Sequence, residues 1–187
     1  MQKNYIEDQT FSRIDSLTKG EYENCSFNSC NFAEMDLSEF IFTNCIFNSS
    51  NLSMVKLNKT AFRDVKFKDC KMLGLRYENC NEFGLSFSFD ACQLNHSSFY
   101  KTKIKKTLFK NSDLLETDFT EADLTAAIFE NCDLSKAIFD QTILEKADFR
   151  TSFNYTLDPE NNRIKKAKFS ISGILGLMHK YDIEVER

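Results

Sequence analysis

From Tyr22 to Phe149 a large apolar residue occupies nearly every fifth position, with one change of phase. The first run goes Tyr22, Phe27, Phe32, Leu37, Phe42 and on to Tyr77; the second goes Phe89, Leu94, Phe99, Ile104, Phe109 and on to Phe149. Five is neither the helical period of about 3.6 nor the strand period of about 2. A chain that turns a corner every five residues points all of these side chains inward. Internal repetition therefore sets the expected fold ahead of any local propensity.

Two residues before each large residue stands a compact one, as at Cys25, Cys30, Cys45, Ser50, Thr60, Cys70, Cys92, Ala122, Ala127, Cys132 and Ala147. The residue immediately before it is often Asp or Asn, and Ala122-Asp123-Leu124-Thr125-Ala126 shows the full unit. This resembles the pentapeptide-repeat family, whose motif reads roughly A(D/N)LxX. The resemblance implies an all-β fold, a right-handed quadrilateral β-helix with four pentapeptides per coil. Residues twenty apart then stack at the usual strand spacing of about 4.8 Å. Phe27, Phe47 and Phe67 make one such column, and Phe89, Phe109, Phe129 and Phe149 another. The 19 Phe and absent Trp suit a narrow bore with no polar atom to satisfy.

The phase changes once. From Tyr77 to Leu94 there are two residues more than three repeats need, around Glu82-Phe83-Gly84-Leu85 within 78–90. Two bulges with Phe83 as the inward residue between them, or one small loop, both fit. A one-residue slip is expected between Phe11 and Leu17. The expected division is a β-helix over 1–169, loosened at 150–163, followed by a C-terminal helix and tail over 170–187. Ser170 or Ser172 caps the short helix, and the tail from Tyr181 to Val185 alternates like a strand. Its apolar residues Ile174, Leu175, Leu177, Met178, Tyr181, Ile183 and Val185 form a lid on the last coil. An uncapped β-helix end is an association hazard; the set either caps a monomer or, as so apolar a tail suggests, joins two copies across a two-fold axis.

Corners fall to ordinary residues, since the chain has one Pro and five Gly. No stretch approaches the roughly 18 apolar residues of a membrane-spanning helix, and the start at Met1 is not a signal peptide. A cytoplasmic protein without a membrane partner is expected. The seven Cys fall on compact inward positions and read as thiols, with Cys25 and Cys45 within disulfide range by column; a reducing compartment favours the free form. No C-x₂₋₄-C pair supports a metal, His96 and His179 stand alone, and no cofactor is implied. There is no phosphate loop, nucleophile elbow or H-E-x-x-H motif, so no catalytic residues are assigned and an enzyme is not expected.

The crossing at Asp158-Pro159-Glu160, with the helix and tail after it, resembles a subgroup of the same family. It includes the Qnr-type quinolone-resistance proteins and a microcin immunity protein. That resemblance implies a C-terminal dimer that binds DNA gyrase or topoisomerase IV as an acidic imitation of DNA. Net charge is only −4, but it is unevenly spread. Residues 56–110 are net +7 and residues 111–149 net −8. The acidic belt is Asp113, Glu116, Asp118, Glu121, Asp123, Glu130, Asp133, Asp140, Glu145 and Asp148. A belt flanking a dyad matches a basic, two-fold DNA-binding surface in sign and symmetry. Direct nucleic-acid binding is not expected, because the inward aromatics cannot stack on bases. The competing expectation is a generic interaction scaffold whose Asp residues are merely those of the motif.

Overall fold

The computed structural model describes residues 4–184. The chain winds as a right-handed quadrilateral β-helix in which every strand pair is parallel. Strands β1 (Asn4–Glu7), β3 (Gly20–Glu23), β5 (Ile41–Thr43) and β7 (Ala61–Arg63) stack on the first face. Strands β2 (Thr10–Ser12), β4 (Ser26–Asn28), β6 (Ile46–Asn48), β8 (Val65–Lys68), β9 (Phe87–Asp90), β10 (Leu108–Lys110) and β11 (Ile128–Glu130) stack on the second. The third and fourth faces are held by single bridges, such as Gln93 to Asp113 to Asp133 and Ser98 to Asp118 to Ile138.

The register is the twenty-residue one: Tyr22 pairs with Phe42 and Phe42 with Phe62, while Phe27 pairs with Phe47 and Phe47 with Phe67. All of these rings are buried. On the second face Phe11, Phe27, Phe47, Phe67, Phe89, Phe109, Phe129, Phe149 and Phe169 form one unbroken ladder, with ring centroids 4.5–5.4 Å apart. Each offset-stacked pair contributes about 0.5–1.5 kcal/mol beyond area burial. The first coil is short: Phe11 pairs with Phe27, sixteen positions on, where a one-residue slip had been expected.

The phase change is a loop. Phe67 pairs with Phe89, so that coil has two residues more than the others. Phe83 is 78% exposed, which removes the reading in which it points inward between two bulges. The bore is filled instead by Phe87, a large ring at a normally compact position beside Val65. It lies 5.3 Å from the Tyr77 ring and 5.1 Å from Phe89.

Two devices hold the corners. The residue two after most inward ones adopts left-handed backbone, with φ of +48° to +64° at non-glycine positions such as Asn24, Met54, Lys106, Glu116 and Ala126. Its N–H donates to the next coil, as Glu116 does to Ser135 O at 2.9 Å. Many of the compact residues with a hydrogen to give donate back to the preceding coil. Thr60 Oγ1 reaches Leu37 O at 2.7 Å, Ser152 Oγ reaches Phe129 O at 2.6 Å, and Cys70 Sγ reaches Phe47 O at 3.3 Å. Cysteine serves here as a larger serine. All seven thiols are free and buried, and burial pushes the Cys45 and Cys132 thiols up to about 12.

The last coil is closed by 3₁₀ turns on either side of one α-helical turn, α1 (Leu175–Met178). Ser170 Oγ accepts from Gly173 N–H at 3.0 Å, but the N-cap of the helical turn is Ile174 and neither Ser170 nor Ser172, the expected caps, occupies it. Tyr155 packs under this lid so closely that a Cβ at Gly176 would lie 2.1 Å from Tyr155 O. Lys180 clasps the crossing, 2.7 Å from both Asp158 and Glu160. The expected strand-like tail is not formed: Tyr181 ends a 3₁₀ turn and Asp182 is left-handed. No helix among the described residues is long and apolar enough to cross a membrane.

Candidate partner-binding surface

The belt does not form one stripe; it wraps the tube. Asp123 and Glu145 belong to the first face, Glu130 and Asp148 to the second, Asp113, Glu116 and Asp133 to the third, and Asp118, Glu121 and Asp140 to the fourth. Each motif Asp has a local structural task. The side chain accepts the N–H two residues on: Asp113 from Leu115 at 3.1 Å, Asp118 from Thr120 at 2.8 Å, Asp123 from Thr125 at 3.1 Å, and Asp133 from Ser135 at 3.0 Å. Asn does the same elsewhere, as at Asn51 toward Ser53. This short-range turn is a general habit of Asp and Asn.

Six belt carboxylates are also paired with cations. Glu116 meets Lys136 at 3.2 Å, Glu121 meets Lys101 at 3.4 Å, Glu130 meets Lys110 at 3.0 Å and Asp123 meets Lys105 at 3.1 Å. Glu145 meets Arg163 at 2.6 Å, and Asp148 meets Arg150 at 2.7 Å. The last coil of the basic block lies directly under the acidic one, and a twenty-residue step brings Lys101 to Glu121 and Lys110 to Glu130 across the boundary. Arg150 holds the Asp148 carboxyl below the usual carboxylate range. Burial pushes Asp123 and Asp133 up, but hydrogen bonds outweigh it and both are lowered: from Thr125 and Lys105 at Asp123, from Ser135 and Asn154 at Asp133.

Among the described residues, Asp113, Asp118, Asp133 and Asp140 carry no ion pair. Asp113 and Asp133 bridge directly on the third face, and Asp118 sits one corner away on the fourth. Asp133 and Asp140 accept from the Asn154 and Asn161 amides, which keep their charge. The free acidic ledge is therefore confined to two adjoining faces near the C-terminal end.

The lid divides the expected association set. Ile174, Leu175, Met178, Tyr181 and Ile183 face outward, 38–56% exposed, while Leu177 turns inward at 8% and seals the bore. Val185 lies outside the described residues. Sequence reasoning missed Ile171, which is 92% exposed beside this set. Its position, between the last inward residue and the helix, gave no periodic signal. Phe83 and the groove beside it were also missed as a surface.

No curated protein matches the chain. Among solved structures it is similar to a trypsin-treated form of QnrB1, at 17% identity over 100% of both chains with a TM-score of 0.65. It is also similar to full-length QnrB1, at 15% identity over 96% of this chain and 100% of that one with a TM-score of 0.56. These likenesses concern the fold. A family model described as a pentapeptide repeat region matches residues 21–88 and 85–153. With the five-residue period, the stacked Phe columns and that match in agreement, the chain belongs to the pentapeptide-repeat family.

Proposed function

We propose that this chain is a non-catalytic ligand of a type II DNA topoisomerase, gyrase or topoisomerase IV, and shields it from a quinolone or a peptide toxin. Two copies join through their lids and occupy the enzyme's DNA-binding surface. The observation that carries this reading is the unpaired ledge of Asp113, Asp118, Asp133 and Asp140, set on the coils nearest the exposed apolar lid. Pairing through the lids places two such ledges about one dyad, and opposite potentials steer association without any chemical step. QnrB1, similar in fold along its whole length, is described as a plasmid-mediated fluoroquinolone resistance protein.

The test is a supercoiling assay with purified gyrase, with and without a quinolone. Wild type shifts inhibition or restores activity at micromolar protein; no effect on either ends the reading. The informative variant replaces Asp113, Asp118, Asp133 and Asp140 by Asn. Asn keeps the turn acceptor, so the coil persists while the charge goes, and topoisomerase binding falls at least tenfold.

A second reading, a scaffold for an unrelated partner, is favoured by the six neutralised carboxylates. It is the reading left standing if the four-Asn variant binds topoisomerase as wild type does.

A further inference from the structure

We propose that the break in the first face is a docking site for an extended segment of a partner protein, apolar and acidic in character. This goes beyond the topoisomerase reading and uses the opposite charge. The first-face sheet ends at β7, and cross-coil pairing there resumes only where Lys103 bridges Asp123. In between, residues 82–85 bow outward. The bow is tied at its ends, by Asn81 N–H to Thr60 O and Ser86 N–H to Phe62 O, both at 2.9 Å.

Beside it lies a groove of about 630 Å³ lined by Tyr77, Glu78, Phe83, Leu85, Tyr100 and Lys103 among others. Volume and lining suit a ligand site, mostly apolar with a few polar groups. Tyr77 is fully buried, and its hydroxyl has no hydrogen-bond partner. Glu78 Oε2, on the same groove, and Arg63 Nε, beneath Gly84, are likewise buried and unpartnered. These are three of the six such side-chain atoms among the described residues. Buried polar groups are normally satisfied, and a cluster that is not calls for an explanation.

The orphans differ in kind. Arg63 Nε can only donate, Glu78 Oε2 accepts, and Tyr77 does either. A polypeptide main chain offers both N–H and C=O, and adding a strand at a sheet edge is an established recognition mode. An incoming strand seats beside the outward-bowed Phe83 and Gly84 and takes up polar groups left there without a ladder partner. Phe83, 78% exposed with its ring 5.9 Å from the Arg63 guanidinium, supplies the apolar anchor. Charge selects the neighbouring side chain. Lys101 is engaged by Glu121, but Lys103 has no ion pair among the described residues, and residues 56–110 are net +7. Glu78 and Glu82 also line the groove, so the partner's carboxylate is received at Lys103.

The probe is a phage-displayed library of random twelve-residue peptides, panned on the full chain. Enriched sequences are remade with a fluorescent label and titrated by anisotropy. The expected winners carry an aromatic or aliphatic residue next to Asp or Glu. Their affinity drops at least tenfold for Phe83→Ser and for Lys103→Glu, and is unchanged for Lys68→Glu on the second face. Deleting Phe83 and Gly84, which restores the twenty-residue spacing, abolishes binding. Both point changes are on exposed side chains, and circular dichroism checks their fold. No enrichment overturns the proposal, as do basic winners or equal binding to wild type, Phe83→Ser and Lys103→Glu; the orphan atoms then hold buried water.

Discussion

Most corners of this coil ask an ordinary residue to adopt left-handed backbone, which costs a non-glycine residue about 1–2 kcal/mol. The ladder over-determines the conformation, because the same residue's N–H is spent on the next coil. Ala126 isolates the effect, with φ of +58° and its N–H 2.8 Å from Glu145 O. Replacing it by Gly removes the steric cost and adds about 0.5–1 kcal/mol of unfolded-chain entropy. Ala126→Gly is therefore expected to raise stability by about 0.5 kcal/mol, whereas Ala126→Val, β-branched, lowers it. Denaturant midpoints read both, and a Gly variant less stable than wild type refutes the account. The corners were only half legible beforehand. Scarce Gly implied that Ser, Asn, Lys and Glu turn the chain, but no side chain announces a left-handed residue when Met54 and Ala126 serve as well as Asn24. The motif's Asp was legible as a position and not as a turn acceptor, and Asn51 in the same role shows why charge is incidental there.

Among elements, the second-face Phe ladder carries the continuity of the tube. It crosses the phase change without interruption, with Phe67 and Phe89 5.4 Å apart, so the extra residues are expelled on the first face. Phe109 lies mid-ladder, fully buried, 5.2 Å from Phe89 and 4.9 Å from Phe129. Phe109→Ala leaves a cavity with rings above and below it, and is expected to cost about 3–5 kcal/mol. Phe109→Leu refills most of the volume and costs distinctly less. Equal costs in chemical denaturation would show that stacking and shape add nothing to the bore. The inward positions of this ladder were readable from the five-residue spacing, and their twenty-residue stacking from the family resemblance, which sets four repeats to a coil. The loop was not, since Phe83 and Phe87 are equally apolar and only the pairing of Phe87 with Val65 decides which enters. The lid was legible as apolar but not as to side: at helix spacing, Leu177 and Met178 differ by one position, yet one seals the bore and the other faces water.

At the scale of the molecule, charge and apolar surface are arranged along the axis. Lysines of the basic coils pair with Glu121, Asp123 and Glu130, while Lys136, Arg163 and Arg150 pair with Glu116, Glu145 and Asp148; as surface contacts such pairs are each worth about 0–1 kcal/mol. Within the acidic belt the ledge on the third and fourth faces stays free of ion pairs among the described residues and, past it, lies an apolar end. Ile171 at 92% exposure, with Ile174, Leu175, Met178, Tyr181 and Ile183 around it, is more contiguous apolar surface than a lone rod end usually shows. The opposite, inward side of the same lid is already committed to the bore through Leu177 and Tyr155. A self-complementary contact about a two-fold axis would cover this end without propagating into a filament. Sedimentation equilibrium at micromolar concentration is expected to give twice the 21.7 kDa of one chain. Ile171→Asp with Leu175→Asp returns it to a single-chain mass with the coil's circular dichroism intact, since neither side chain packs into the bore. The same double variant separates the roles of the two surfaces. If a topoisomerase reads a pair of ledges, the monomer keeps each ledge but loses their spacing, and protection falls further than the binding of one rod does. A wild-type chain that sediments as one copy across that range removes the dyad, and with it the symmetry on which the imitation of DNA depends.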